Sequence, residues 1–207
     1  MRTRIKICGI TREADAHAAA QHGADAIGFI FWRPGERFVE PARAGAIARM
    51  LPAFLSPVAV FVNPSAEEVE AVLGHIPNAL LQFHGEESLE FCTRFARPFI
   101  RAVRMRPGLD LLEYLMPFAA ASAWLVDAFH ESTYGGTGSA FDWALIPRGL
   151  ERPLILSGGL TVGNVGEAVR RLRPFAVDVS SGVESGKGIK DAAKIAAFIA
   201  GVRNADQ

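Results

Sequence analysis

Eight short runs of apolar and β-branched residues recur along the chain, and their spacing restricts the fold more than any other feature. They are "RIKICGI" (4–10), "ADAIGFIF" (24–31), "SPVAVFVN" (56–63), "ALLQFHG" (79–85), "PFIRAVRM" (98–105), "AWLVDAF" (123–129), "PLILSGGL" (153–160) and "FAVDVSSG" (175–182). Most are near-continuously apolar, as parallel strands covered on both faces are. Between them lie helix-like stretches. "READAHAAAQHG" ends on Gly23, a C-cap residue. In "NPSAEEVEAVLG", Ser65 precedes Glu67 and Glu68, acids suited to a helix N-terminus. "GEESLEFCTRFARP" and "TVGNVGEAVRRLRP" are each expected to stop at their proline, and "DAAKIAAFIAGVR" supplies a last amphipathic helix. Eight strand–helix units in 207 residues predict an α/β protein, a single (β/α)8 barrel at the small end of that architecture's range. A doubly wound open sheet is the alternative. No Pro/Gly/Ser-rich linker divides the chain, so one domain over residues 1–207 is expected.

Composition removes several functional classes. Lys+Arg and Asp+Glu both number 22, so the basic footprint of a nucleic-acid binder is absent. Two cysteines, Cys8 and Cys92, are too few for a disulfide framework and lack metal-ligand spacing, and no His/Asp/Glu cluster has such spacing either. Neither a signal peptide nor a membrane-spanning run is legible. A cytoplasmic, soluble protein follows, with no nucleic-acid or membrane partner.

In a barrel of this kind the chemistry sits at the C-terminal ends of the strands. Those ends carry Cys8 and Gly9, then Arg33 and Arg37, Asn63, Gln82 and His84, Arg101 and Arg104, Asp127, Ser157 to Gly159, and Asp178 with Ser180 to Gly182. Polar groups thus converge on one rim of an apolar barrel. The glycines of "SGG" and "SSG" after runs seven and eight let backbone N–H groups approach an anion, and barrels often bind phosphate there. Either loop alone would be read as a tight turn; the two together favour phosphate. Cys92 reads as a small buried hydrophobe. Cys8, at a strand end facing the mouth, is either that or a nucleophile or base. Asp127, set among Trp124, Leu125 and Val126, costs free energy unless paired or functional; Asp178 is the rival carboxylate. The glycine-rich connection 130–143, which carries His130, is a candidate lid.

The motifs "KICGIT" (6–11), "QFHGEE" (82–87), "LVDA" (125–128), "GGTGSAFDW" (135–143), "LSGGLTVGNV" (156–165) and "VDVSSGVESGKGIKD" (177–191) span nearly the whole chain in order. Together they resemble the phosphoribosylanthranilate isomerases of tryptophan biosynthesis. The resemblance implies an Amadori rearrangement of N-(5-phosphoribosyl)anthranilate to 1-(2-carboxyphenylamino)-1-deoxyribulose 5-phosphate, with no cofactor and no metal. It implies Cys8 as general base and Asp127 as general acid. An acid and a base acting together need opposite protonation states, so Asp127 is expected protonated and Cys8 ionised in the competent state. Arg37 matches the family's arginine for the anthranilate carboxylate, although Gly35-Glu36 stands where the family has Ser-Pro. Glu36 is a potential competitor for Arg37, and Arg33 a potential substitute. Asp178 resembles the aspartate facing the anthranilate amine, and His84 joins the substrate-binding residues. Gly159, Ser181 and Gly182 are expected to hold the phosphate. Family members occur as monomers or homodimers. Other phosphosugar barrels fit less well: a synthase of the indole-glycerol phosphate type wants strand-end lysines, an epimerase a metal set, and the histidine-pathway isomerase paired aspartates. A non-catalytic phosphate binder would not need both Cys8 and Asp127.

Overall fold

The computed structural model describes residues 2–106, 108–128, 142–147 and 149–207. All eight runs form strands: β1 (Arg4–Cys8), β2 (Ala26–Ile30), β3 (Ser56–Phe61), β4 (Leu80–Phe83), β5 (Phe99–Met105), β6 (Ala123–Ala128), β7 (Leu154–Leu156) and β8 (Ala176–Val179). Each pairs in parallel with the next, and β8 returns to pair with β1, closing the barrel. The open-sheet alternative is thereby excluded. A two-stranded antiparallel ribbon, β9 (Glu184–Gly186) with β10 (Ile189–Lys190), follows β8 and was not foreseen.

The outer layer holds α1 (Glu13–His22), α2 (Pro41–Ala48), α3 (Ala66–His75), α4 (Leu89–Thr93), α5 (Leu111–Leu115), α6 (Val165–Leu172) and α7 (Ala192–Ala205). Local chemistry sets their limits. Gly23 closes α1 in the left-handed region at φ 90°. Ser65 opens α3 with a reciprocal cap, its hydroxyl accepting from the Glu68 N–H while Glu68 accepts from the Ser65 N–H. Two helices stop before their prolines. α4 ends at Thr93, with Ala96 turning back at φ 49°, and α6 ends on Arg173 at φ 44°. The sixth connection differs from the expected strand–helix unit. Among its described residues it carries only a 3-10 turn, Trp143–Leu145, capped by Asp142. Residues 130–141 of the candidate lid, His130 included, lie outside the described residues.

Strand periodicity sorts the side chains into two cores. Ile5 and Ile7, Phe61, Phe83, Trp124 and Val126 face the helices and join one large cluster. The alternate positions, among them Cys8, Val58, Val60, Ile100, Ala102, Leu125, Ile155 and Ala176, fill the barrel interior. Gln82, Asp127 and Asp178 share this inward parity. Arg101 has the other parity, with Phe99 and Val103, and so lies buried between barrel and helices rather than on the rim. Its guanidinium donates to Glu87 Oε2 at 2.7 Å, to the Gly85 carbonyl at 2.9 Å and to the Tyr114 hydroxyl at 2.6 Å. Glu87 also accepts the N–H groups of Asn63 and Gly85, so one ion pair pins the turn after β4. Replacing Arg101 by Met leaves Glu87 buried and unpaired. It is expected to lower stability by about 3–5 kcal/mol in urea unfolding; a loss under about 1 kcal/mol would contradict this role.

Candidate active site

A pocket opens at the C-terminal ends of the strands. Cys8, Arg37, Gln82, His84, Asp127, Ser157, Asp178 and Ser180 line it, with Trp32, Ile30, Val60 and Val62 as apolar wall. Both proposed catalytic residues and all three proposed substrate-binding residues thus share one cavity. Gln82 is one of the strand-end polar residues read from the sequence, whereas Trp32, an aromatic residue two positions past β2, adds an apolar wall that reading did not include.

Cys8 sits at the end of β1, 7% exposed. Gly28 on β2 leaves it room, since a Cβ there would lie 2.8 Å from Sγ. Burial pushes the thiol up, as does the charge of Asp178, while Lys6 and Lys190 pull it down. The net shift is upward, so the thiolate expected for catalysis is not the form this environment favours. Lys6 lies on the same inward face of β1, its ammonium 2.9 Å from Asp178 Oδ2 in a pair buried on both sides. Burial works against its charge, but Asp178 and Cys8 outweigh it and raise its pKa. The other thiol, Cys92, is fully buried in the outer core, and burial pushes it up to about 12.

Across the pocket Asp127 is 4% exposed. Its Oδ1 accepts the Ala128 N–H at 2.8 Å, and its Oδ2 lies 3.2 Å from His84 Nε2, off the line of a hydrogen bond. The Gln82 amide nitrogen lies 3.3 Å from His84 Nδ1.

Arg37 reaches the pocket and Arg33 does not. Arg33 is an exposed surface residue paired with Glu40 at 3.2 Å. The Arg37 fork lies flat on Glu184, Nε to Oε1 and Nη2 to Oε2 both at 2.8 Å, and Lys190 Nζ binds the same Oε1 at 2.8 Å. Glu36 is drawn outward to Lys187 at 2.6 Å, so the contact feared from sequence is made by Glu184 instead. Gly35 has its own reason, because a Cβ there would press to 2.9 Å on the Trp32 ring. The turns after β7 and β8 abut, and a Cβ on Gly182 would collide with the Leu160 carbonyl. Gly159, at φ 68°, is held by Asn164, whose amide donates to its carbonyl at 2.9 Å. Of these two turns the pocket lining includes Ser157 and Ser180, while the expected phosphate residues Gly159, Ser181 and Gly182 are not part of it. Among the described residues no group of three or more His, Cys, Asp or Glu is placed to hold a metal, and no helix is long and apolar enough to cross a membrane.

The family model for N-(5'phosphoribosyl)anthranilate (PRA) isomerase matches residues 5–201. The N-(5'-phosphoribosyl)anthranilate isomerase of Dechloromonas aromatica is 56% identical over 100% of this chain and 99% of that one. The crystal structure of phosphoribosyl anthranilate isomerase from Thermotoga maritima superposes with a TM-score of 0.89 at 38% identity, covering 98% of this chain and 99% of that one. An isomerase of that name in complex with reduced 1-(o-carboxyphenylamino)-1-deoxyribulose 5-phosphate gives a TM-score of 0.83 at 36% identity, with 98% and 99% covered.

Burial also opposes the charge of Glu184, but Arg37 and Lys190 outweigh it and hold its carboxyl below the usual range. A depressed folded value stabilises above the ordinary glutamate pKa of about 4.3 and is lost as pH falls through the folded value. The melting-temperature gap between the wild type and Glu184→Gln should therefore be open at about pH 6 and close toward about pH 3. A gap independent of pH would show that the pair contributes nothing as charge.

Proposed function

The chain belongs to the N-(5'-phosphoribosyl)anthranilate isomerase family and is an isomerase of tryptophan biosynthesis, and from that premise we propose how its residues carry out the rearrangement. Asp127 protonates the ring oxygen of the phosphoribosyl group, the C1–O bond breaks, and the anilinic nitrogen lone pair forms a cationic Schiff base. Cys8 as thiolate then removes the C2 proton, giving an enolamine that tautomerises to the 1-amino-1-deoxyketose. Arg37 receives the anthranilate carboxylate, Asp178 faces the amine, and His84 supports Asp127. Gly159, Ser181 and Gly182 hold the phosphate through backbone N–H groups.

One observation carries the reading: Cys8 and Asp127 line the same pocket, from β1 and β6, three places apart around the barrel. A base and an acid on separate strands suit a substrate that must lose a proton from one carbon and gain one on its ring oxygen. Glu184 takes Nε and Nη2 of Arg37, so a substrate carboxylate is assigned to the Nη1 edge of the same guanidinium. The whole reaction is assigned to one domain, residues 1–207, working in the cytoplasm as a monomer or a homodimer, without nucleic-acid or membrane partners.

The anthranilate group makes the substrate fluorescent, so its consumption can be followed directly. Cys8→Ala and Asp127→Asn are each expected to lower kcat by about 10²–10⁴-fold while retaining binding of the reduced product analogue. Arg37→Met is expected chiefly to raise KM. Full turnover by Cys8→Ala would remove the thiol from the mechanism, and an inactive, folded wild type would sink the substrate assignment.

A further inference from the structure

Lys6 is a buried cation that the mechanism above leaves unused. Its side chain is 4% exposed and its ammonium binds Asp178 Oδ2 at 2.9 Å. Register explains the meeting, since Lys6 is the strand partner of Asp178 across the β1–β8 seam and lies two residues before Cys8 on the same face. Gly28 shows where the charge points. A Cβ on Gly28 would lie 2.8 Å from Cys8 Sγ and 3.2 Å from Lys6 Nζ, so thiol and ammonium converge over one bare Cα. The second oxygen of Asp178, Oδ1, is buried without a hydrogen-bond partner among the described residues. An anionic oxygen left so, inside a polar pocket, awaits a donor.

The other charged groups around Cys8 are committed elsewhere. Lys190 on β10 and Arg37 after β2 both bind Glu184. Asp127 and His84 line the pocket from β6 and the end of β4. Lys6 and Asp178 therefore act most strongly on the thiol, with Lys190 adding to the pull of Lys6.

We propose that Lys6 is the positioning residue that makes Cys8 a usable base, its ammonium shared between Asp178 and the thiol. Charge counting gives the timing. With Lys6 cationic and Asp178 anionic, the site is neutral when Cys8 is a thiol. The reaction's Schiff base adds a positive charge, which Asp178 Oδ1 is placed to face. Neutrality then calls for the Cys8 thiolate, and the Lys6 ammonium is left to stabilise it. The thiol proton passes to water, after which the thiolate takes the proton from C2. This timing rests on the isomerase reading; the convergence of Lys6 on Cys8 does not.

The test is the pH dependence of Cys8 alkylation by iodoacetamide, followed by peptide mass, in the wild type, Lys6→Gln, Lys6→Arg and Asp178→Asn. Lys6→Gln keeps a donor for Asp178 but removes the charge. Its alkylation midpoint should rise by about one pH unit or more, a tenfold loss of thiolate at a given pH. Lys6→Arg should stay near the wild type, and Asp178→Asn should fall by a similar amount. The acidic limb of kcat/KM should move with the midpoint, whereas a merely structural role would lower the rate equally at every pH. Unmoved midpoints in both charge-removing variants would overturn the proposal. If Lys6→Gln fails to fold, Asp178→Asn decides it. A folded wild type that does not turn over phosphoribosylanthranilate would defeat the isomerase reading, while the alkylation shifts would still decide the role of Lys6.

Discussion

The pairing of β1 with β8 closes the barrel, and every part of the site depends on that seam. It sets Lys6 beside Asp178 and brings Cys8 to the rim next to the turns after β7 and β8. The seam is tied at the other end too, where the Thr3 hydroxyl and N–H both donate to the Asp206 carboxylate at the close of α7. A buried ion pair such as Lys6–Asp178 contributes little net stability, because desolvation consumes much of the attraction. What it does supply is register. A one-residue slip between β1 and β8 would turn Lys6 and Cys8 out of the barrel and leave Asp178 unpaired.

Around the seam, charged side chains are held by other charged side chains rather than by solvent. Glu184, supplied by the β9–β10 ribbon, receives Arg37 and Lys190 together and draws the arginine against the pocket wall. Arg37 is therefore pre-oriented, and a substrate carboxylate meets a guanidinium whose rotamer freedom is already spent. On the far side Arg101 and Glu87 fix the turn that follows His84. The rim is built from βα turns, and those after β2 and β4 are each anchored to a buried charge, which gives their residues the precision of strand residues.

Much of this was legible in the sequence, for definite reasons. The eight strands announced themselves because parallel strands covered on both faces must be apolar, and the few polar residues at their ends then stood out. Cys8, Asp127, Asp178 and His84 were found in this way, and the structure brings them to one pocket. Arg101 was misjudged as a rim residue, because a continuous apolar run hides which parity faces inward. Glu184 was missed because the short ribbon carrying it has no periodicity to read, and the fear over Glu36 assumed that sequence neighbours are spatial partners. The end of α6 at Arg173 shows that a left-handed residue, not only a proline, stops a helix here. The thiolate expected of Cys8 depended on burial and on Lys6, neither of which spacing alone reveals.

The most direct test of the account is a crystal structure of this chain with the reduced product analogue, 1-(o-carboxyphenylamino)-1-deoxyribulose 5-phosphate. The account predicts its carboxylate at Arg37, its amine nitrogen at Asp178 Oδ1, its C2 against Cys8 Sγ, and its phosphate on the backbone of Gly159, Ser181 and Gly182. An analogue seated with its phosphate at Arg37, or with C2 facing Asp127 and away from Cys8, would contradict the assignment of acid and base.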